Sequence, residues 1–220
     1  MLRWSLVGKY VNFGVFSLYQ DPAYDNVINM YFRLLISIPL SDLKTLPKLA
    51  NSVFLLFQVF SSEQMQALPN IDEQVFSYML KSSGECLTSS DQVIATQIAM
   101  SIESIFSFIV KQRLLKKQHY LVDQVENNIN LVNEILVKLM ELLFFMDHPS
   151  QWTMSRAFFP LVLVSKDFFD YCLRILLQNQ LPENQEILAS LLKNLMDGIE
   201  FNLLSKNRDR FTQQIVQFRR

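Results

Sequence analysis

The chain has 220 residues, half of them apolar, with four glycines, seven prolines and a formal net charge of −1. That length suits one domain or a piece of a longer array, and the apolar content supports a sizeable core. The charge balance excludes a bulk basic field for nucleic acid, and the longest charge-free run, Leu49 to Ser62, is shorter than the roughly 20 apolar residues of a membrane span.

Scarce glycine with abundant Leu, Ile, Phe and Met favours helices, because glycine loses the most chain entropy in a helix interior. In chain order the pattern predicts helices over roughly 2–19, 22–38, 47–60, 72–87, 91–117, 126–146, 150–164, 166–179, 182–204 and 206–219. Met1 to Lys9 lacks the apolar stretch of a signal peptide. Asp21-Pro22 places a capping carboxylate before a proline suited to a first turn. Pro47, Pro149 and Pro182 lie near other starts, and Asn70 with Glu73 and Ser89 with Gln92 fit capping boxes.

Three stripes carry the helical period. Ile94, Ile98, Ile102, Ile105 and Ile109 share one face, as do Ile129, Val132, Leu136, Leu139 and Leu143, and then Ile187, Leu191, Leu195 and Ile199. The polar, Asn-rich segment from Gln118 to Asn130 reads as a long loop before a helix start. No segment shows the sustained alternation of a sheet.

Two consecutive helices with their links take about 40–50 residues, close to the HEAT-type period. The fold expectation is therefore all-α, a HEAT-like α-solenoid of about five antiparallel helix pairs over residues 1–220. A closed helical bundle shares the same helix count and short connections. The apolar start and the closing Arg219-Arg220 look like unfinished ends, which suggests a segment of a longer array.

The residue types give little support to catalysis. His119 and His148 are the two histidines, and HExxH, CxxC, GxSxG and phosphate-cradling glycine motifs do not occur. No cofactor, metal site or catalytic residue is expected. Cys86 and Cys172, in apolar helical runs, read as buried reduced thiols of an intracellular protein, with a single disulfide left open. Lys111, Arg113, Lys116 and Lys117 close the long helix from Asp91, where cations complement the helix dipole. The eighteen phenylalanines mostly sit within helical stripes and read as core.

Two places are candidates for partner contact. Trp152 and Arg156 open a predicted helix, and both residue types are enriched at binding hot spots. The competing expectation makes Trp152 a core anchor, with the guanidinium of Arg156 satisfied by a carbonyl. In the tail, Lys206, Arg208 and Arg210 alternate with Asn207 and Asp209. They form either a basic contact for an acidic partner, a solvated helix start with Asp209 pairing locally, or a tie from Arg208 or Asp209 to the preceding helix.

Four blocks are idiosyncratic: Val7 to Phe16 (VGKYVNFGVF), Leu35 to Leu43 (LISIPLSDL), Gln151 to Arg156 (QWTMSR), and Asn194 to Gln213 (NLMDGIEFNLLSKNRDRFTQ). On these blocks the chain resembles the C-terminal region of the exportin 7 family, Ran-binding transport receptors of the importin-β superfamily. The middle, Glu63 to Asn130, matches the family less closely, and Ala157 to Pro160 departs from its usual residues. The resemblance implies a receptor, not an enzyme, that shuttles between nucleus and cytoplasm. It implies binding to Ran in its GTP form together with protein cargo, weak contacts with Phe-Gly nucleoporins, and cargo release on GTP hydrolysis. The family's N-terminal repeats, which hold the principal Ran contact, have no counterpart here. The other function classes are a helical protein-binding scaffold without Ran and a compact helical enzyme domain.

Overall fold

The computed structural model describes residues 15, 18–63, 71–147 and 149–219. The first expected helix lies almost wholly outside them, as do Asn70 and His148. Among the described residues there are eleven helices and no strand, so the chain is all-α and fits a helical repeat. It divides into two compact units, 1–101 and 102–220.

The first unit holds α1 (Ala23–Ile36), α2 (Leu40–Thr45), α3 (Pro47–Glu63), α4 (Glu73–Cys86) and the beginning of α5 (Gln92–Leu114). The short α2 falls where the periodicity predicts no helix. Phe32 of α1 meets Phe60 of α3 at 5.3 Å between ring centroids, and Phe54 and Phe57 are fully buried beside them. Gln97 donates to Asn51 at 2.8 Å, and the Tyr78 hydroxyl donates to the Ile38 carbonyl at 2.8 Å.

The expected helix starts are met with shifts of up to three residues. Asp21 accepts from the Ala23 amide at 2.9 Å, and Pro47 and Pro182 are first residues of their helices. Asp72 caps α4 by accepting from Gln74, and Asp91 caps α5 by accepting from Val93 at 2.9 Å. The expected cap, Ser89, instead accepts from the Asp91 amide. Asp91 stands next to the helix, so its carboxylate is the nearer acceptor for the open N–H groups.

The second unit continues with α6 (Tyr120–Asn127), α7 (Ile129–Phe144), α8 (Gln151–Val164), α9 (Lys166–Gln178), α10 (Pro182–Leu195) and α11 (Ser205–Phe218). Helix α6 corrects the loop expected over 118–130. Asp123, Glu126 and Asn127 are exposed, while Leu121 and Val125, four apart, are fully buried where α6 packs on α7. His119 opens α6, its Nδ1 accepting from the Leu121 amide at 3.2 Å. Helix α10 ends nine residues earlier than expected, because Gly198 takes a left-handed φ of 63° just beyond it.

Phenylalanines form the centre of this unit. Phe158, Phe159 and Phe211 are fully buried, with Phe211 at 5.8 Å from Phe158 and 4.9 Å from Phe159. Each such ring contributes on the order of 1.5–3 kcal/mol through removal from water. Helix α11 packs on α7, α8 and α10. The pairs Asp147–Arg219, Ser155–Thr212 and Phe159–Phe211 run in opposite chain directions, which makes α8 and α11 antiparallel.

By length and composition α5 could cross a membrane, with a mean hydropathy of 1.8 over its most apolar window. Two thirds of that window is buried inside the protein, as in a core helix. Cys86 is buried as expected, but Cys172 is only half-buried. Partial burial still pushes the Cys172 thiol above its ordinary range, which disfavours the reactive thiolate.

Candidate partner-binding face

The two sequence candidates converge on one acid that the sequence does not single out. Glu103 sits in α5, between apolar turns. Its Oε1 accepts from Arg156 Nε of α8 at 3.1 Å and from Arg208 Nη1 of α11 at 3.1 Å. All three side chains are largely buried, with 20 % exposure for Glu103, 27 % for Arg156 and 19 % for Arg208. Partial desolvation strengthens these charge-assisted bonds relative to surface ion pairs. Arg208 also donates through Nε to the Leu203 carbonyl at 3.1 Å. The partner of Arg156 is thus a carboxylate from a distant helix rather than a carbonyl.

Trp152 is not a core anchor. It is 59 % exposed, while its neighbour Met154 is fully buried. The Arg156 guanidinium lies over its ring at 4.5 Å from the centroid, a cation–π contact that braces the indole from one side. Trp152 and Arg156 are one helical turn apart, which permits this stacking. Beside Trp152 a groove of about 440 Å³ opens between α8 and α11, with Asp147 and Gln151 as well as Trp152, Thr212, Ile215 and Val216 in its lining.

The tail's charged string is mostly structural. Arg210 donates to the Gly198 carbonyl at 3.2 Å and lies 3.9 Å from Asp197, so its acid partner is Asp197 rather than Asp209. Buried Asn207 donates to the Glu200 carbonyl at 3.2 Å and to Asn202, which organises the turn between α10 and α11. Asn202 in turn accepts from the Leu204 amide at 3.0 Å. Phe211 enters the core, and Thr212 bonds Ser155 at 2.9 Å. Lys206 and Asp209 are exposed. Of the five candidates, Trp152 and Lys206 therefore offer open surface, Arg156 offers part of its guanidinium, and Arg208 and Arg210 are engaged within the chain.

Within the basic run near the end of α5, Arg113 is engaged, while Lys111, Lys116 and Lys117 are exposed. Arg113 donates to the Val164 carbonyl at 3.1 Å and pairs with Glu126 at 3.5 Å, while Lys116 turns the chain with a φ of 51°. Among the described residues no three His, Cys, Asp or Glu side chains gather as a metal site would require.

The sequence has relatives among known proteins. The chain aligns over its whole length with Exportin-7-B of Xenopus laevis at 35 % identity across 230 residues. It aligns likewise with Ran-binding protein 17 of Homo sapiens at 32 % and Ran-binding protein 16 of Drosophila melanogaster at 31 %. The chain is homologous to a C-terminal part of the exportin 7 proteins. It spans about a fifth of the length of these curated relatives, 21 % of each. No protein-family model and no solved structure matches it. The exportin 7 match extends through Glu63 to Asn130 as well as the four idiosyncratic blocks, because it covers the entire chain.

Proposed function

We propose that the chain forms the C-terminal HEAT-like portion, over 1–220, of a nuclear export receptor. It carries protein cargo from nucleus to cytoplasm under the control of Ran in its GTP form. The observation that supports this most directly is the whole-length match to proteins named exportin 7 and Ran-binding protein 17. In this reading the protein is a binding receptor rather than an enzyme, and it passes the pore by weak contacts with Phe-Gly nucleoporins.

The physical basis is linkage. If Ran and cargo each bind one conformation of a helical array more tightly, each raises the other's affinity by the same factor. This chain would contribute packed helices with defined junctions, such as the Glu103 tie among α5, α8 and α11. Trp152, Arg156 and Lys206 are the residues it presents for contact, with Arg208 and Arg210 holding the surface that carries them.

A second reading is a helical protein-binding scaffold without Ran, which the all-α packing and the exposed Trp152 would serve equally well. Capture of the protein from its own cells, tagged at its natural locus, separates the two. Export predicts retention by Ran locked in the GTP form and little by Ran bound to GDP. Equal retention by both, or by neither, overturns the export reading and leaves the scaffold.

A further inference from the structure

We propose that the turn closing α5 docks an acidic segment of a partner protein, with Leu114 and Leu115 receiving an apolar side chain and Lys111, Lys116 and Lys117 its carboxylates. The inference goes beyond the export role and does not depend on Ran.

The turn is built rather than frayed. The Lys117 amide donates to the Gln112 carbonyl and the Lys116 amide to the Arg113 carbonyl, both at 3.1 Å, the paired bonds of a Schellman cap. Arg113 ties the same turn to the Val164 carbonyl and to Glu126. Beyond the cap the chain folds back, so that the His119 ring packs on Phe108 of α5 at 4.8 Å between centroids. A segment held in these three ways loses little freedom when a partner binds.

This rigid turn exposes side chains that its own stability does not require. Leu114 and Leu115 are 56 % and 62 % exposed. Lys111 stands three and four residues before them, on the same side of the helix, and Lys116 and Lys117 follow directly. Lys116 holds a φ of 51° at the cap position where glycine is the usual and less strained residue. The helix dipole accounts for cations in the last turn. It does not account for two leucines in water, or for lysine where glycine fits better.

Charge selects the occupant. No acid stands between Glu103 and Asp123, and Glu126, which reaches the turn from α6, is paired with Arg113. Lys111, Lys116 and Lys117 are exposed and have no ion-pair partner among the described residues. Three unopposed cations around two leucines complement a segment that carries acids beside an apolar residue. A lipid surface calls for a longer apolar face than two leucines provide, and single-stranded nucleic acid for open aromatic platforms.

The test uses the full chain and fluorescein-labelled helical peptides of three kinds: leucine with glutamate, leucine with lysine, and serine with glutamate. Anisotropy should show the leucine–glutamate peptide binding best and losing affinity in high salt. Lys116→Gly should raise the melting temperature, because glycine suits the left-handed backbone, yet weaken binding by about threefold, the scale of one exposed ion pair. A merely structural role for Lys116 would not move the two readouts in opposite directions. Leu115→Ser should weaken binding by about tenfold without lowering the melting temperature, and Lys48→Glu, on α3, should leave binding unchanged. No binding of the leucine–glutamate peptide, equal binding of either other peptide, or undiminished binding by Lys116→Gly and Leu115→Ser overturns the proposal. So does tighter binding of the chain to phosphatidylserine vesicles or to polyadenylate than to the peptide.

Discussion

Arg208 and Glu103 stand 105 positions apart in the sequence and meet at 3.1 Å. Because Arg156 uses the same oxygen, Glu103→Ala removes one acceptor from two largely buried guanidinium groups at once. The expected loss is about 1–3 kcal/mol of unfolding free energy. Arg156→Ala should then have a smaller effect in the Glu103→Ala background than in the natural chain. Urea unfolding of the double-mutant cycle checks this; strict additivity means the three side chains do not act as a unit.

Gly198 and Arg210 support a second prediction. Gly198 has a φ of 63°, and a Cβ there would run into the Arg210 guanidinium. Gly198→Ala should cost about 1–2 kcal/mol from the left-handed backbone. Arg210 can swing aside, so the steric share is small and amounts to the lost bond to the Gly198 carbonyl. Arg210→Ala alone should cost about 0–1 kcal/mol, since that side chain is 43 % exposed and its partner Asp197 is 74 % exposed. Thermal melts of both single variants check the order of effects, Gly198→Ala falling below Arg210→Ala.

His119 predicts a pH dependence. Its Nδ1 accepts from the Leu121 amide, and its ring lies against Phe108 and Tyr120. Burial lowers its pKa from the ordinary value of 6.5. Protonation would turn Nδ1 into a donor and break the cap. The unfolded chain therefore takes up the proton first. The cap's contribution is full above pH 6.5 and is lost as pH falls through that value towards the lower folded pKa. Denaturant midpoints at pH 7.5 and pH 5 should differ more for the natural chain than for His119→Asn, because asparagine caps without titrating. An identical pH response in both chains counts against this role for His119.

Much of the helical structure was legible because its causes are local. Ile94, Ile98, Ile102, Ile105 and Ile109 recur at helical spacing, and all five are buried in α5. The same spacing in Ile187, Leu191, Leu195 and Ile199 identified a face, yet Ile187 is 65 % exposed while Leu195 is 1 % exposed. Periodicity determines which side chains share a side of a helix; what covers that side is supplied by other parts of the chain. Helix α6 escaped notice for a related reason. Its buried residues are Leu121 and Val125, and it is held by burial where it packs on α7 rather than by propensity.

The candidate site divides along the same line. Sequence alone determined that the chain is all-α, that Asp21, Pro47 and Pro182 stand at helix starts, that Trp152 and Arg156 stand one turn apart, and that the tail resembles the exportin 7 proteins. Only the tertiary structure decided that Trp152 faces water, that Arg208 and Arg210 are engaged, and that Glu103 joins the two candidate regions. The one sequence sign of Glu103 is its place as the single acid within the apolar run from Gln92 to Val110. Helix formation responds to neighbours three and four residues away, whereas an ion pair forms wherever folding brings opposite charges together out of water. The separations of 53 and 105 residues from Glu103 to its two arginines have no local signature, so packing alone establishes them.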